Sequence, residues 1–266
     1  MRHGREDSRG SSAALTQNRS LILVAAGLLP LFLSWAAQHT SPDQSHVAEA
    51  HIVESHIVQS MMQATAARFD RVEAYTRLQH YSASDDRFGL KAEMVARIHY
   101  DHATGKTFEI VSRGGSPLIQ SRVFDALLQE EVETSKLLAQ DGSLLTTHSY
   151  SFRLIGQDVI AGRPCYLLEL NPLRKDKHLI RGRAWVDKES FGIVHIEGSP
   201  AESLSFWIGK PVIIQDFERL SGFWFAAHRH SVINGLLTGR SELTVEYSDY
   251  DIRLTPPEAP LEPKRK

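Results

Sequence analysis

The sequence has little cysteine and little excess charge of either sign. Its one cysteine among 266 residues, Cys165, excludes an intramolecular disulfide and argues against a thiolate metal cluster. The formal net charge is −2, without the basic excess that a general nucleic-acid-binding surface needs. We therefore expect no nucleic-acid partner. We interpret Cys165, which lies inside an apolar run, as a small buried hydrophobe.

Recognisable catalytic and cofactor motifs are missing as well. The chain has no Gly-x-Ser-x-Gly elbow, no His-Glu-x-x-His and no phosphate-binding glycine loop. The sequence therefore predicts a binding protein and not an enzyme, with no cofactor. Because catalytic triads are defined by geometry and not by sequence, a hydrolase with an unrecognised site stays open as a third alternative.

The 13 histidines raise the question of a metal site. His51 and His56 are five apart on a predicted helix, which is not the spacing that places two ligands on one face. His228 and His230 alternate on a predicted strand and share a face. We interpret them as a polar pair on a mixed strand surface and predict no metal site.

The N-terminal region has the pattern of a secretory signal. Residues 1–20 are polar and contain arginines, residues 21–33 form an apolar run, and Ser34-Trp35-Ala36 follows. This pattern predicts a signal peptide over residues 1–36, cleaved after Ala36, with an uncleaved anchor as the alternative. Either reading predicts export, and we place the protein in the periplasm or cell envelope. The proline-rich stretch 256–266 is predicted to be a disordered tail, so one domain occupies residues 37–255.

Hydrophobic periodicity predicts a mainly β (α+β) domain with two helices. An amphipathic helix is predicted over residues 45–69 and a second one over 118–139, after the third strand. Between and after them, alternation bounded by turn residues predicts about ten or eleven antiparallel strands. These strands are predicted at 72–82, 90–100, 106–113, 144–155, 164–170, 179–187, 191–197, 203–207, 211–220, 223–234 and 240–249. A twisted sheet of this many strands curls into a barrel or partial barrel.

The strand faces richest in apolar side chains are the candidate lining of a cavity. The candidates are Leu90, Met94, Ile98, Phe108, Ile110, Tyr166, Leu168, Leu170, Val194, Ile196, Ile213, Phe217, Leu243 and Val245. Alternation assigns residues to a face but leaves open whether that face lines a cavity or packs under a helix. Trp185 lies between Arg183 and Asp187 on one face of its strand, where it stacks on a cationic side chain, covers the sheet surface or packs under a helix.

Five segments together resemble a known family. They are RFDRVEAYTRLQHY, YDHATGKTFEIVS, YSFRLIGQDVIAGRPCYLLELNP, RGRAWVDKESFGIVHIEG and GRSELTVEYSDYDI, which lie in this order between residues 53 and 252. In order and spacing they resemble the outer-membrane lipoprotein-sorting proteins of the LolA/LolB-like fold, which includes RseB-type envelope sensors. The resemblance implies an unclosed antiparallel β-barrel with helices over its mouth.

The resemblance also implies a function. Proteins of this kind bind lipid or lipoprotein acyl chains, so we expect a periplasmic carrier, acting as a monomer in outer-membrane biogenesis. The alternative is an envelope stress sensor or scaffold that binds a membrane-protein partner, as the RseB-type relatives imply.

Overall fold

The computed structural model describes residues 42–141, 145–202, 210–235 and 239–256. The predicted signal peptide, the predicted strand at 203–207 and the tail beyond Pro256 lie outside the described residues. No described helix is both long enough and apolar enough to cross a membrane.

The described residues form two helices and ten strands. Helix α2 has three parts, a first turn Pro117–Ile119, a π-helical turn Gln120–Phe124 and a main helix Asp125–Asp141. The other elements are α1 (Pro42–Arg71), β1 (Val72–Asp85), β2 (Leu90–Asp101), β3 (Gly105–Gly115), β4 (Tyr150–Ile160), β5 (Arg163–Pro172), β6 (Ile180–Asp187), β7 (Ile193–Pro200), β8 (Val212–Leu220), β9 (Phe223–Gly235) and β10 (Gly239–Leu254).

Strand β3 ends at a glycine, and helix α2 begins two residues later. Gly115 has a φ of +83°, and a Cβ atom there would lie 2.3 Å from the Lys91 carbonyl oxygen. Only glycine fits this conformation and this close approach. Pro117 then occupies the first turn of the helix, where a missing backbone N–H costs no hydrogen bond.

The ten strands form one antiparallel sheet in the order β3-β2-β1-β10-β9-β8-β7-β6-β5-β4. The first and last strands of the chain, β1 and β10, pair in its middle, with Tyr81 opposite Val245. Strands β3 and β4 are the two edges, so the sheet is not closed. The predicted fold class, an unclosed antiparallel barrel with one helix before it and one after the third strand, is confirmed.

The sheet is strongly curled. Lys106 at the start of β3 and Tyr150 at the start of β4 lie on opposite edges, yet both line one cavity. Neighbouring strands are about 4.8 Å apart, so nine intervals separate these edges by about 43 Å in a flat sheet. The two edges therefore bend toward each other, and the face that carries both residues is concave.

Both helices pack on this concave face, each over its own half of the sheet. Ile57, Val58 and Met61 of α1 pack on β4–β7, in a cluster that we call the α1-side core. Ile119, Phe124 and Leu128 of α2 pack on β1, β2 and β10, in the α2-side core. Cross-strand pairing joins the two cores in a row that runs Leu168, Ala184, Ile196, Gln215, Arg229, Val245, Tyr81, Met94.

The convex face has a smaller apolar cluster of its own, which we call the outer cluster. Cys165, Trp185 and Val194 are buried in it, and Trp224 packs against them. The indole N–H of Trp185 donates to Asp158 at 2.9 Å. Trp185 therefore covers the sheet surface, one of its predicted placements, and no described helix lies over it. Burial raises the pKa of the Cys165 thiol, which is consistent with an inert side chain.

Strand β4 begins later than predicted. Residues 145–149 form a turn, in which the Thr146 carbonyl accepts hydrogen bonds from the backbone N–H groups of Ser149 and Tyr150. The sequence alone does not separate this turn from the strand that follows it, because the turn begins with the apolar Leu145 and its threonines are common in strands.

Candidate functional site

A cavity of about 290 Å³ lies on the concave face, where the end of α1 and the two halves of the sheet meet. Its walls are mainly apolar or aromatic, with a few polar side chains. Among the described residues the lining comprises Thr65, Arg68, Phe69, Val72, Tyr75, Tyr100, Lys106, Ser135, Leu145, Tyr150, Leu170, His178, Ile180 and Ile196. An apolar cavity with a few convergent polar groups is the usual form of a small-molecule site.

Of the residues predicted to line a cavity, Leu170 and Ile196 border this one. Most of the others pack under a helix. Leu168, Tyr166 and Phe217 belong to the α1-side core, and the α2-side core contains Leu90, Met94, Ile98, Ile110, Leu243 and Val245. The helices occupy most of the concave face, so the free space is confined to the region between the two cores.

Three predicted residues lie elsewhere. Val194 packs in the outer cluster with Trp185. The pairing of β6 with β7 shifts register between Trp185 and Val186, which pair with His195 and Ile193. An extra residue at such a bulge breaks the alternation of faces, so Val194 and Ile196 do not share one. Ile213 is half-buried between Gly198 and Ser231, and Phe108 on the edge strand β3 is exposed.

A buried ion cluster borders the cavity on the α2 side. Glu131 of α2 accepts hydrogen bonds from Arg77 at 2.6 Å, from Lys106 at 2.8 Å and from Gln79 at 2.9 Å. Arg77 also donates to the Tyr250 hydroxyl at 2.7 Å. These bonds join α2 to β1, β3 and β10 through charged groups.

The protonation states in this cluster follow from the charges. Burial opposes ionisation of the Glu131 carboxyl, but Lys106 and Arg77 outweigh it and hold the pKa of Glu131 well below its ordinary range. Burial likewise disfavours the Arg77 guanidinium, yet Glu131 holds the Arg77 pKa above its ordinary value. Glu131 is therefore anionic and Arg77 is charged at neutral pH, and the one carboxylate is the partner of both Arg77 and Lys106.

This ion cluster was not among the sequence-predicted site residues. The prediction selected apolar side chains, whereas Arg77 and Gln79 lie between Tyr75 and Tyr81 on the concave face of β1. Their spacing in the sequence could have predicted this placement, because polar residues two apart between two aromatic residues lie on the same buried face of a strand.

The cavity wall contains one group of side chains that resembles a hydrolytic arrangement. His178 Nδ1 is 3.3 Å from the Thr134 hydroxyl and 2.9 Å from Glu130 Oε1. A triad needs the nucleophile and the acid on different ring nitrogens, so that the imidazole can pass a proton between them. Here both contact the same nitrogen, and the relay geometry is missing from this group.

The predicted histidine pair lies on the convex face. His228 Nδ1 is 3.4 Å from Asp216 Oδ2, and His230 Nδ1 is 3.2 Å from the Thr244 hydroxyl. His195 contacts the other Asp216 oxygen at 2.5 Å. Within the described ranges, no group of three or more His, Cys, Asp or Glu side chains is arranged to hold a metal ion.

A ten-stranded unclosed half-barrel, with two helices on its concave face and a cavity between their contacts, defines the class of this protein. Similar solved structures include a LolA superfamily protein from Nitrosomonas europaea, which aligns over 76% of this chain and 94% of its own at 13% identity, with a TM-score of 0.43. A putative outer membrane lipoprotein-sorting protein domain from Vibrio parahaemolyticus aligns over 76% and 92% at 13% identity, also with a TM-score of 0.43. MucB aligns over 74% and 92% at 14% identity, with a TM-score of 0.26.

The first two of these structures carry the name of the family that the sequence resembles. At such low identity the likeness concerns the fold alone. No protein-family model and no curated protein matches the sequence.

Proposed function

We propose that the protein is a binding or carrier protein of the bacterial cell envelope that holds an acyl chain of a lipid or lipoprotein. The observation that supports this most is the cavity of about 290 Å³, with Val72, Leu170, Ile180 and Ile196 among its apolar walls. Each methylene group that leaves water for such a wall contributes about 0.8 kcal/mol. Small-molecule clefts span roughly 300–1,000 Å³, so this cavity is sized for one chain and not for several.

The proposal is tested by filling the cavity. Ile196→Trp places an indole in the space that the chain would occupy, and we expect it to weaken binding of a neutral fluorescent naphthylamine at least tenfold. The matched control is Val212→Trp. Val212 is 53% exposed on β8, so this substitution should leave probe binding unchanged. Fluorescence titration measures both, with thermal unfolding to verify that each variant folds. Absence of probe binding in the unmodified protein, or equal binding by Ile196→Trp, would show that the proposal is wrong.

The second candidate function, a sensor or scaffold that binds an envelope protein, is favoured by the two sheet edges. In the described part of the chain β3 and β4 each pair on one side only, and Phe108 and Val111 are exposed on β3. Such an edge accepts an added strand from a partner.

Native mass spectrometry of the purified protein separates the candidates. A co-purifying acyl ligand supports the carrier, and a stable protein partner without lipid supports the sensor. Turnover of ester substrates by the same preparation would instead support the hydrolase.

A further inference from the structure

Positive charge is in excess at one end of the cavity. Arg68 from α1 and Lys106 from β3 both line the cavity. Arg77 is close to Lys106, because both side chains pair with the carboxylate of Glu131. The remaining basic side chain of the lining, His178, contacts Glu130 at 2.9 Å. At this end of the site the carboxylate of Glu131 therefore pairs with Lys106 and Arg77, and Arg68 adds a third basic side chain that Glu131 does not contact.

Arg68 has no acid partner among the described residues. Its Nε–H is buried without a hydrogen-bond acceptor, and its guanidinium lies over the Phe225 ring, 4.9 Å from the centroid. A buried N–H of a charged group that makes no hydrogen bond is costly. The cation–π contact fixes the position of the guanidinium but offers no acceptor for its N–H groups. An anion in the cavity would supply one.

The Tyr75 phenol reports the same positive potential, because it also lines the cavity. Burial on its own would raise the pKa of this phenol. Lys106, Arg77 and Arg68 outweigh burial and hold the Tyr75 pKa below its ordinary value. An anionic group is thus favoured at this end, while the opposite walls, with Leu170 and Ile196, are apolar.

We propose that the cavity selects a single-chain amphiphile with an anionic head group, a carboxylate or a phosphate, bound by Arg68 and Lys106. The chain lies against Leu170, Ile180 and Ile196, and the head group accepts the hydrogen bonds that Arg68 leaves unmade. Arginine suits this role because its planar fork matches both carboxylate and phosphate oxygens. This inference rests on the proposed function, since it concerns the same cavity.

Displacement of the neutral naphthylamine probe tests the head group separately from the chain. The competitors are dodecanoic acid, dodecanol and a single-chain lysophosphatidic acid with the same twelve-carbon chain. We expect the two anions to displace the probe at least about tenfold more tightly than the alcohol, because one charge-assisted hydrogen bond corresponds to that factor. Stronger binding of the phosphate would identify a phospholipid source, and stronger binding of the carboxylate a free fatty acid.

Arg68→Gln provides the decisive variant. It should bring the affinity for both anions down to that for dodecanol while leaving dodecanol binding unchanged, and Lys106→Gln should give a partial loss. The control is Arg97→Gln, the same change at a side chain that is 45% exposed beside Glu109, and it should retain the full preference.

Three outcomes would count against the inference. Equal binding of acid and alcohol by the unmodified protein overturns the head-group inference but leaves the acyl-chain proposal standing. A preference for anions that survives Arg68→Gln also overturns the assignment. If none of the three competitors displaces the probe, or the probe itself does not bind, the acyl-chain proposal and this inference both fail.

Discussion

The two cores on the concave face differ in how they hold their helices. In the α1-side core the described helix residues that meet the sheet are apolar, Ile57, Val58 and Met61. A polar contact there is that of Glu54, which accepts the backbone N–H of Leu154 at 2.6 Å. Helix α1 is therefore held mainly by hydrophobic contact, which is strong but not directional.

Helix α2 has an apolar contact of similar kind but is also fixed by directional bonds. Phe124 and Leu128 pack on the sheet, and Glu131 binds Arg77, Lys106 and Gln79. One turn later, the Ser135 hydroxyl accepts the backbone N–H of Lys106 at 2.8 Å. At the start of the helix the Gln120 amide donates to the carbonyls of Glu93 and Gly114.

The difference shows that burial and position are separate properties of a packed helix. Apolar contact brings both helices to the sheet, whereas hydrogen bonds to several polar and charged side chains position α2 and one at Glu54 helps to position α1. A buried ion cluster is a poor source of net stability, because desolvation offsets the charge attraction, but removing one partner is strongly destabilising. The comparison therefore predicts different responses of the two cores to substitution.

The largest effect is expected in the apolar part of the α2-side core. Phe124 is fully buried, so Phe124→Ala leaves a cavity and should lower the free energy of unfolding by about 4 kcal/mol. Phe88→Ala removes the same side chain from a turn where it is 62% exposed and should cost under about 0.5 kcal/mol. Urea denaturation measures both. Similar costs for the two variants would contradict the assigned core.

The next effect tests the ion cluster. Glu131→Gln leaves Arg77 and Lys106 without their carboxylate and should lower the free energy of unfolding by roughly 3 kcal/mol at pH 7. This value is at the low end for loss of a buried ion-pair partner, because Glu131 is 21% exposed. The folded-state pKa of Glu131 lies below its unfolded value, so its contribution is full above about pH 5 and is lost as pH falls.

The pH dependence gives this test its control. Between pH 7 and pH 3 the unmodified protein should lose about 2 kcal/mol more stability than Glu131→Gln, which has no carboxyl to protonate. Glu109→Gln, at an exposed acid paired with Arg97, should keep the full pH dependence. An identical pH profile for Glu131→Gln and the unmodified protein would rule out the cluster as its source.

The smallest effect is expected in the α1-side core. Val58→Ala removes two buried carbon groups from the contact of α1 with the sheet and should cost about 1.5 kcal/mol. Val53→Ala makes the same change on the same helix where the side chain is 49% exposed, and should cost under about 0.5 kcal/mol. Equal costs, measured by urea denaturation, would mean that α1 does not dock through Val58.

Particular residues show what the alternation of apolar and polar residues along a strand can and cannot predict. Leu168 and Leu170 lie in one core, and Met94 and Ile98 lie in the other, since residues two or four apart on a regular strand share a face. Alternation did not separate Val194 from Ile196, because the bulge between them is decided by how β7 pairs with β6. It also overlooked Arg68, Lys106 and Glu131 as one group, since they come from α1, β3 and α2 and meet only when the sheet curls.

Patterns along the chain were enough to predict the type and order of the elements, the break at Gly115 and the apolar face of most strands, because each depends on neighbours in the sequence. Long-range packing sets the rest: the helices cover most of that face, the free space lies between the two cores, and Glu131 pairs with both Arg77 and Lys106 beside it. Those features depend on the pairing of β1 with β10 and on the bending of β3 toward β4. They bring together side chains that are far apart in the chain, and local propensities do not encode such distances.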